Sequence, residues 1–168
     1  MLKLGRILKH RLFDERDARR ALGAGALERI QARVQQSETR HSGEIRVCVE
    51  AGLPLSYLRR DATARERAVT LFGKLRVWDT EANNGVLIYL LLAERRIEIV
   101  ADRGLNRRVS PAQWQALLAG MAAAFQADRF EAGLMQAIDV VDGLLVEYFA
   151  LRDGELNPNE LPDAPLLM

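Results

Sequence analysis

The side chains with the strongest potential for chemistry lie in two short polar segments of the chain. Their carboxylate and amide oxygens suit a hard divalent cation such as Mg²⁺ or Ca²⁺, and a nearby guanidinium could hold a phosphate oxygen. Together they would support metal-assisted hydrolysis of a phosphate ester. The candidate metal ligands are Asp79, Glu81, Asn84 and Asp102, and the candidate catalytic residues are Asp102 and Arg103.

The same residues also have ordinary structural interpretations. Asp79 and Asn84 lie in a loop, where short polar side chains commonly bond to the local backbone. Asp102 and Arg103 could form an ion pair or cap the end of a strand. The chemical hypothesis therefore requires a fold that brings the two segments together.

Three apolar segments predict the strands that would do so. Residues 43–50 alternate between apolar and polar side chains, 86–92 are continuously apolar, and 97–102 alternate again. A helix predicted over 61–75 makes the first two strands parallel, and the short turn after the second makes the third antiparallel. We predict an α/β fold, a layered α/β/α sandwich. Its small mixed sheet combines a parallel β-α-β unit with an antiparallel hairpin, and helices cover both faces.

This topology gathers residues that are far apart in the chain. The start of the first strand, the segment 79–85 and the segment 102–104 all belong at one edge of the sheet. A helix opens nearby with Ser110 as its N-cap and Pro111 at its first position, and its free N–H groups favour anions. This edge is the candidate functional site.

Four polar or thiol side chains near the strands allow separate predictions. His41 is either a general base beside the candidate site or a solvent-exposed histidine at a helix end. Cys48, the single cysteine, is predicted to be a buried structural thiol. Arg46 and Glu98 are expected to pair with each other or with neighbouring acids rather than to act chemically.

Charge is uneven along the chain although its total is small. The 24 basic and 23 acidic residues leave a net charge of +1, which gives no reason to expect nucleic acid as a partner. Residues 1–20 nevertheless contain seven basic and three acidic residues. A helix there would align Leu4, Ile7, Leu8, Arg11 and Leu12 on one stripe. Residues 1–12 could contact an anionic membrane surface, or the helix could pack on its own domain.

Composition and periodicity divide the chain into three parts. They are a basic helical segment (1–24), a domain (25–151) and a flexible, acidic, proline-containing tail (152–168).

No signal peptide is recognisable and no apolar run is long enough to span a membrane, so we expect a cytoplasmic protein.

Several motifs of the central part resemble those of the TPM-domain family, which is often described as phosphatase-like. The chain is most similar to the soluble bacterial-type branch without signal peptide or membrane anchor. The resemblance implies an α/β sandwich, phosphatase activity in some members and divalent-cation binding at acidic loops in some members. The matching motifs are Gly43-Glu44-Ile45-Arg46, Asn84-Gly85-Val86-Leu87-Ile88-Tyr89, Ile97-Glu98-Ile99-Val100-Ala101-Asp102-Arg103-Gly104 and Phe130-Glu131-Ala132-Gly133.

The chain departs from the family pattern at the candidate site. Many members begin the central strand with Asp-Asn-Gly, where this chain has Asn83-Asn84-Gly85. Many end the third strand with Gly-x-Gly, where this chain has Asp102-Arg103-Gly104. One carboxylate is therefore absent from the edge, and another, Asp102, is added.

Two functional hypotheses follow. The first is a non-enzymatic binding or regulatory module for a membrane-associated protein partner, with residues 1–12 as a peripheral membrane contact. The second is a weak phosphatase-like hydrolase that depends on Ca²⁺ or Mg²⁺. We favour the first because the sequence contains no complete catalytic set.

Overall fold

The computed structural model describes residues 2–168, and their side chains from residue 4 onward. A 3₁₀ turn, Leu92–Glu94, separates the second and third of four strands. The strands are β1 (Glu44–Glu50), β2 (Gly85–Leu91), β3 (Arg96–Ala101) and β4 (Leu166–Leu167). The helices are α1 (Leu2–Arg11), α2 (Glu15–Leu22), α3 (Ala26–Glu38), α4 (Leu55–Arg59), α5 (Ala64–Lys74), α6 (Arg103–Asn106), α7 (Pro111–Gln126) and α8 (Phe130–Phe149).

The strands form one mixed sheet in the order β3-β2-β1-β4. β1 runs parallel to β2, and β2 pairs antiparallel with β3 in a hairpin, as the sequence predicts. Every residue of β2 is buried, which confirms that its uninterrupted apolar run forms a central strand.

Two apolar cores, one on each face of the sheet, confirm the layered α/β arrangement. The larger core packs α2, α3, α7 and α8 against one face. The smaller core packs α4, α5 and part of the C-terminal tail against the other. Ala18 and Leu22 of α2 belong to the larger core, so residues 15–22 pack with the domain that the sequence pattern begins at residue 25.

Helix starts follow the capping chemistry of the sequence. Ser110 caps α7 with Pro111 in the first turn, as predicted, and Gln113 completes a capping box. α5 begins at Ala64 rather than at residue 61 because Thr63 and Glu66 form a second capping box. The Thr-x-x-Glu spacing is visible in the sequence and marks this boundary.

The polar side of β1 is covered rather than solvated, which differs from the alternating pattern. All seven residues of β1 are buried. The Glu50 carboxylate accepts hydrogen bonds from Arg67 of α5, with Nη2–Oε1 at 2.6 Å, and from the Tyr89 hydroxyl at 2.6 Å. Cys48 is buried, as predicted, and burial raises the pKa of its thiol to about 12.

The expected pairing of Arg46 with Glu98 is wrong. β2 lies between the strands that carry these residues, so their side chains are not neighbours. Arg46 donates to the carbonyl oxygens of Pro162 (2.8 Å) and Ala164 instead. Glu98 lies near the guanidinium groups of Arg65 and Arg96 instead.

The end of the tail is part of the sheet, which corrects the expectation of a flexible tail for residues 161–168. Leu161 N–H donates to Glu44 Oε2 at 3.0 Å. Met168 N–H donates to Val49 O at 3.0 Å, which completes the short parallel pairing of β4 with β1. These contacts give β1 a neighbouring strand and cover its polar side.

Glu38, at the end of α3, is a buried carboxyl group in this region. Its Oε1 accepts the N–H of Ile45 at 2.9 Å. Burial, helped by the nearby carboxylates of Glu44 and Asp163, raises the pKa of Glu38 to about 9. The folded chain therefore keeps this group protonated at neutral pH.

We expect Glu38→Gln to stabilise the protein increasingly as pH rises. Between pH 4.5, the ordinary pKa, and about 9, the folded wild type binds a proton that the unfolded chain releases, so its stability falls with rising pH. Glutamine does not titrate and can still accept from Ile45. In urea denaturation at pH 5 and pH 8, the variant's advantage should grow by about 1.4 kcal/mol per pH unit. Exposed Glu28→Gln is the control, and an advantage independent of pH would contradict the assignment.

Candidate functional site

The structure brings the two polar segments together at one edge of the sheet, as the topology predicts. Asp102 N–H donates to Gly85 O at 2.9 Å, and Gly104 N–H donates to Asn83 O at 2.8 Å. Asn84 Nδ2 donates to the Ser42 hydroxyl at 3.2 Å, which adds the residues before β1.

Close backbone contact explains the glycine at position 104. A Cβ atom there would overlap the carbonyl oxygens of Ala82 and Asn83. Only glycine lets the segment after β3 lie directly against the loop before β2. The contact therefore fixes Asp102 and Arg103 beside this loop.

Arg103 and Asp102 bond to the backbone and to an amide rather than to each other's side chain. Arg103 donates from Nε (2.9 Å) and Nη2 (2.7 Å) to Asn83 Oδ1. Asp102 Oδ1 accepts the N–H of Arg103 at 2.7 Å and so caps α6. One oxygen of Asp102 thus has the strand-end capping role that the sequence left open.

Three buried oxygens near this edge have no hydrogen-bond partner among the described residues. They are Asn84 Oδ1, Asp102 Oδ2 and, on the first residue of β1, Glu44 Oε1. A buried oxygen without a donor is costly, and carboxylate and amide oxygens are the ligands that a hard divalent cation prefers. Asn84 and Asp102 therefore fit a hard cation by chemistry.

The other two candidate ligands point elsewhere. The Asp79 carboxylate is bonded to Arg76, with Oδ2–Nη2 at 2.6 Å. Glu81 is exposed, and its N–H faces the carboxylate of Glu160. Across residues 2–168, no three His, Cys, Asp or Glu side chains are grouped as a metal centre would require.

The N-terminus of α7 is already capped by its own side chains. Ser110 Oγ accepts the N–H of Gln113, and Gln113 Oε1 accepts the N–H of Ser110 at 2.8 Å. These bonds occupy two of the N–H groups that were expected to favour an anion.

A family model described as the TPM domain matches residues 16–144. The chain belongs to the TPM-domain family. The match starts within α2 and ends within α8, whereas the sequence motifs suggest 25–151. A search of curated proteins gives no significant match.

Two solved structures are similar to this TPM-domain chain. The BA42 protein from the psychrophilic bacterium Bizionia argentinensis is 27% identical with a TM-score of 0.74, over 87% of this chain and 94% of that one. The N-terminal domain of a P. gingivalis protein is 20% identical with a TM-score of 0.59, over 78% and 83% of the two chains, and shows a shared fold. No helix within residues 2–168 of this TPM-domain chain is both long and apolar enough to cross a bilayer.

His41 of the TPM domain is fully buried, so neither prediction for it is correct. Its Nδ1 lies 3.0 Å from Gly43 O and its Nε2 lies 2.8 Å from the Ser37 hydroxyl. Because a carbonyl only accepts, Nδ1 carries the proton and Nε2 accepts from Ser37. An imidazole with both nitrogens engaged and no solvent access cannot serve a substrate at the edge.

A buried carboxylate beside His41 is not predictable from the sequence. Asp142 of α8 bonds to Arg33 Nη2 at 3.0 Å and to Arg40, and its Oδ1 lies 3.6 Å from His41 Nε2. These contacts join α3 to α8. More than 100 residues separate the partners in sequence, so no local pattern indicates the network.

We expect the His41 imidazole to titrate far below the ordinary histidine pKa. Burial lowers its pKa from 6.5 to about 4, so the folded chain resists a proton that the unfolded chain binds. This contribution to stability is lost as pH falls from 6.5 towards 4 and amounts to about 3 kcal/mol. Imidazole NMR at decreasing pH should show the neutral Nδ1–H form persisting to about pH 4. Titration near 6.5 in the folded chain would contradict this assignment.

Proposed function

We propose that this TPM-domain chain is a binding module that contacts anionic membrane surfaces through α1. The observation that carries the proposal is a row of leucines directed into solvent. Leu4, Leu8 and Leu12 are 73%, 61% and 72% exposed. The spacing of four residues keeps Leu4 and Leu8 on one side of α1. Leu12 directly follows the helix, and its N–H donates to Leu8 O at 3.2 Å. Large apolar side chains clustered in solvent mark interaction sites.

Contacts on the opposite side of α1 fix which side faces outward. Arg6 donates to Asp61 Oδ1 (3.0 Å) and to the carbonyl of Ala62 (2.7 Å). His10 is buried, and its Nδ1 accepts the N–H of Leu53 at 3.0 Å. Ile7 packs on the smaller core, so it leaves the stripe that the sequence pattern had placed beside the leucines.

Glu94, in the turn between β2 and β3, holds the same side of α1. Its Oε1 lies 2.8 Å from Arg6 Nη2 and 3.0 Å from His10 Nε2. α1 therefore packs on its own domain through one side and leaves the leucines exposed on the other, as the proposed membrane contact requires.

Basic side chains accompany the leucines. Lys9, Arg11 and Arg16 are exposed and have no ion-pair partner among residues 4–168. A helix with an apolar row and unpaired basic residues lies in the headgroup region, where anionic lipids attract it. An anionic lipid surface would both bury the leucines and supply a counter-charge to these cations, whereas a neutral protein surface would do only the first.

We expect the double substitution Leu8→Glu/Leu12→Glu to abolish co-flotation with vesicles that contain anionic phospholipid. Each leucine would otherwise contribute about 1.5–3 kcal/mol when fully buried in the lipid boundary, and a carboxylate also repels the surface. Wild type should bind anionic vesicles, bind phosphatidylcholine vesicles weakly, and dissociate at high salt.

Val69→Glu is the matched control, since Val69 is an exposed apolar residue on α5. It should bind vesicles as the wild type does. Equal binding by all three proteins, or no wild-type binding at low salt, would overturn the membrane proposal. Binding to neutral vesicles that does not change with salt concentration would contradict the proposed attraction between the basic residues and anionic lipid.

The unpartnered oxygens of Asn84 and Asp102 favour a second candidate function, a cation-dependent phosphatase-like hydrolase. Asn84 and Asp102 would hold Mg²⁺ or Ca²⁺, and Asp79 would join them only by leaving Arg76. The cation would polarise a phosphoryl oxygen when bound. Arg103, held beside the edge by Asn83, would orient the phosphate.

For this candidate, we expect Mg²⁺ or Ca²⁺ to shift backbone NMR signals in residues 79–85 and 102–104. Asp102→Asn should abolish the shifts because it removes the charged ligand, and it should also abolish hydrolysis of an aryl phosphate. Asp153→Asn, at an exposed position in the tail, is the charge-matched control. Shifts that persist in Asp102→Asn would exclude this site.

A further inference from the structure

β3 forms a free edge of the sheet. Because Asp102 bonds to Gly85 and antiparallel pairs alternate, Arg96, Glu98 and Val100 direct their backbone groups to β2. Ile97 and Ile99 direct theirs outward. Within residues 2–168 the outward groups of Ile97 and the N–H of Ile99 make no hydrogen bond.

An open groove follows this edge between β3 and α7. Its volume is about 840 Å³. Ile97 and Ile99 form one wall, and Trp114, Leu118 and Ala122 of α7, spaced four residues apart, contribute to the other. Trp114 Nε1 donates to Asn106 Oδ1 at 3.1 Å, which orients the indole. Unpaired backbone groups beside an apolar wall are the two features used in strand addition.

We propose that this groove binds an acidic, extended peptide segment as an additional strand on β3. The peptide backbone would pair with Ile97 and with the N–H of Ile99. Alternate apolar side chains would enter the groove against Trp114 and Leu118, because successive residues of a strand face opposite sides. The proposal uses different residues from the membrane contact and does not depend on it.

Charge at the rim selects an acidic peptide. Arg65 and Arg96, whose side chains are 50% and 65% exposed, share the single carboxylate of Glu98 at 3.7 and 3.3 Å. Two guanidinium groups therefore share one carboxylate, which leaves a net positive charge at the rim. The other acidic side chain of the groove, Glu94, is bonded to Arg6 and His10 of α1. Arg95 is paired with Asp128 at 2.6 Å.

The contacts of the edge also limit how far a peptide can pair. Asn106 Nδ2 donates to Ala101 O at 2.6 Å and closes one end of the strand. Arg65 Nη1 donates to Ile99 O at 2.5 Å. An incoming strand that displaces Arg65 frees its guanidinium for an acidic side chain of the peptide. A second copy of this chain would instead bring the same surplus of arginine to the interface.

The test is binding of an acetylated peptide with alternating glutamate and valine to the full chain, followed by amide NMR shifts and calorimetry. A lysine–valine peptide of equal length is the comparison. We expect saturable binding of the acidic peptide alone, with shifts at residues 97–99 and along α7. Leu118→Glu should abolish binding, and Arg96→Glu should weaken it by about tenfold or more.

Arg59→Glu, an exposed charge reversal on α4, is the matched control and should bind as the wild type does. Arg96→Glu changes an exposed side chain, so it keeps the test valid if Leu118→Glu fails to fold. No saturable binding, equal binding of both peptides, or shifts outside β3 and α7 would overturn the proposal. Concentration-dependent shifts at β3 without peptide would identify a second copy as the occupant and would also overturn it.

Discussion

The constraint on which the structure depends is the complete burial of β1, a strand with charged side chains on one side. Each buried charge requires a partner, because desolvation is costly unless hydrogen bonds replace water. Arg67 supplies a partner to Glu50, tail carbonyls accept from Arg46, and the N–H of Leu161 donates to Glu44. The positions of α5 and of the C-terminal tail both follow from this requirement.

The sequence predicts the sheet well because strand identity depends on local periodicity. The run at β2 and the alternation at β1 and β3 indicate three strands and their directions, and Ser110-Pro111 indicates the start of α7. β4 is missed because two residues carry no periodic signal. Alternation shows that one side of β1 is polar but not whether water or a distant segment covers it. The burial of that side by the tail is therefore not predictable from the pattern.

The sequence predicts where the candidate site lies but not which partners its side chains bond. Parallel and antiparallel directions place the loop before β2 beside the end of β3, and the structure does so. Side-chain partners could not be predicted, because Asp79 bonds to Arg76 and Arg103 bonds to Asn83 according to local loop geometry. For α1, periodicity indicates an apolar stripe, but the contacts of Arg6 and His10 with distant residues decide that the leucines face outward.

In the proposed binding mode, the TPM domain holds α1 with its leucine side against a membrane surface. The most direct measurement is the amide NMR spectrum of the ¹⁵N-labelled full chain with nanodiscs containing an anionic lipid and a paramagnetic headgroup label. This binding mode predicts paramagnetic broadening centred on residues 4–13, with residues 97–99 and 111–126 unaffected. Uniform broadening, or a spectrum unchanged by the labelled nanodiscs at low salt, would contradict it.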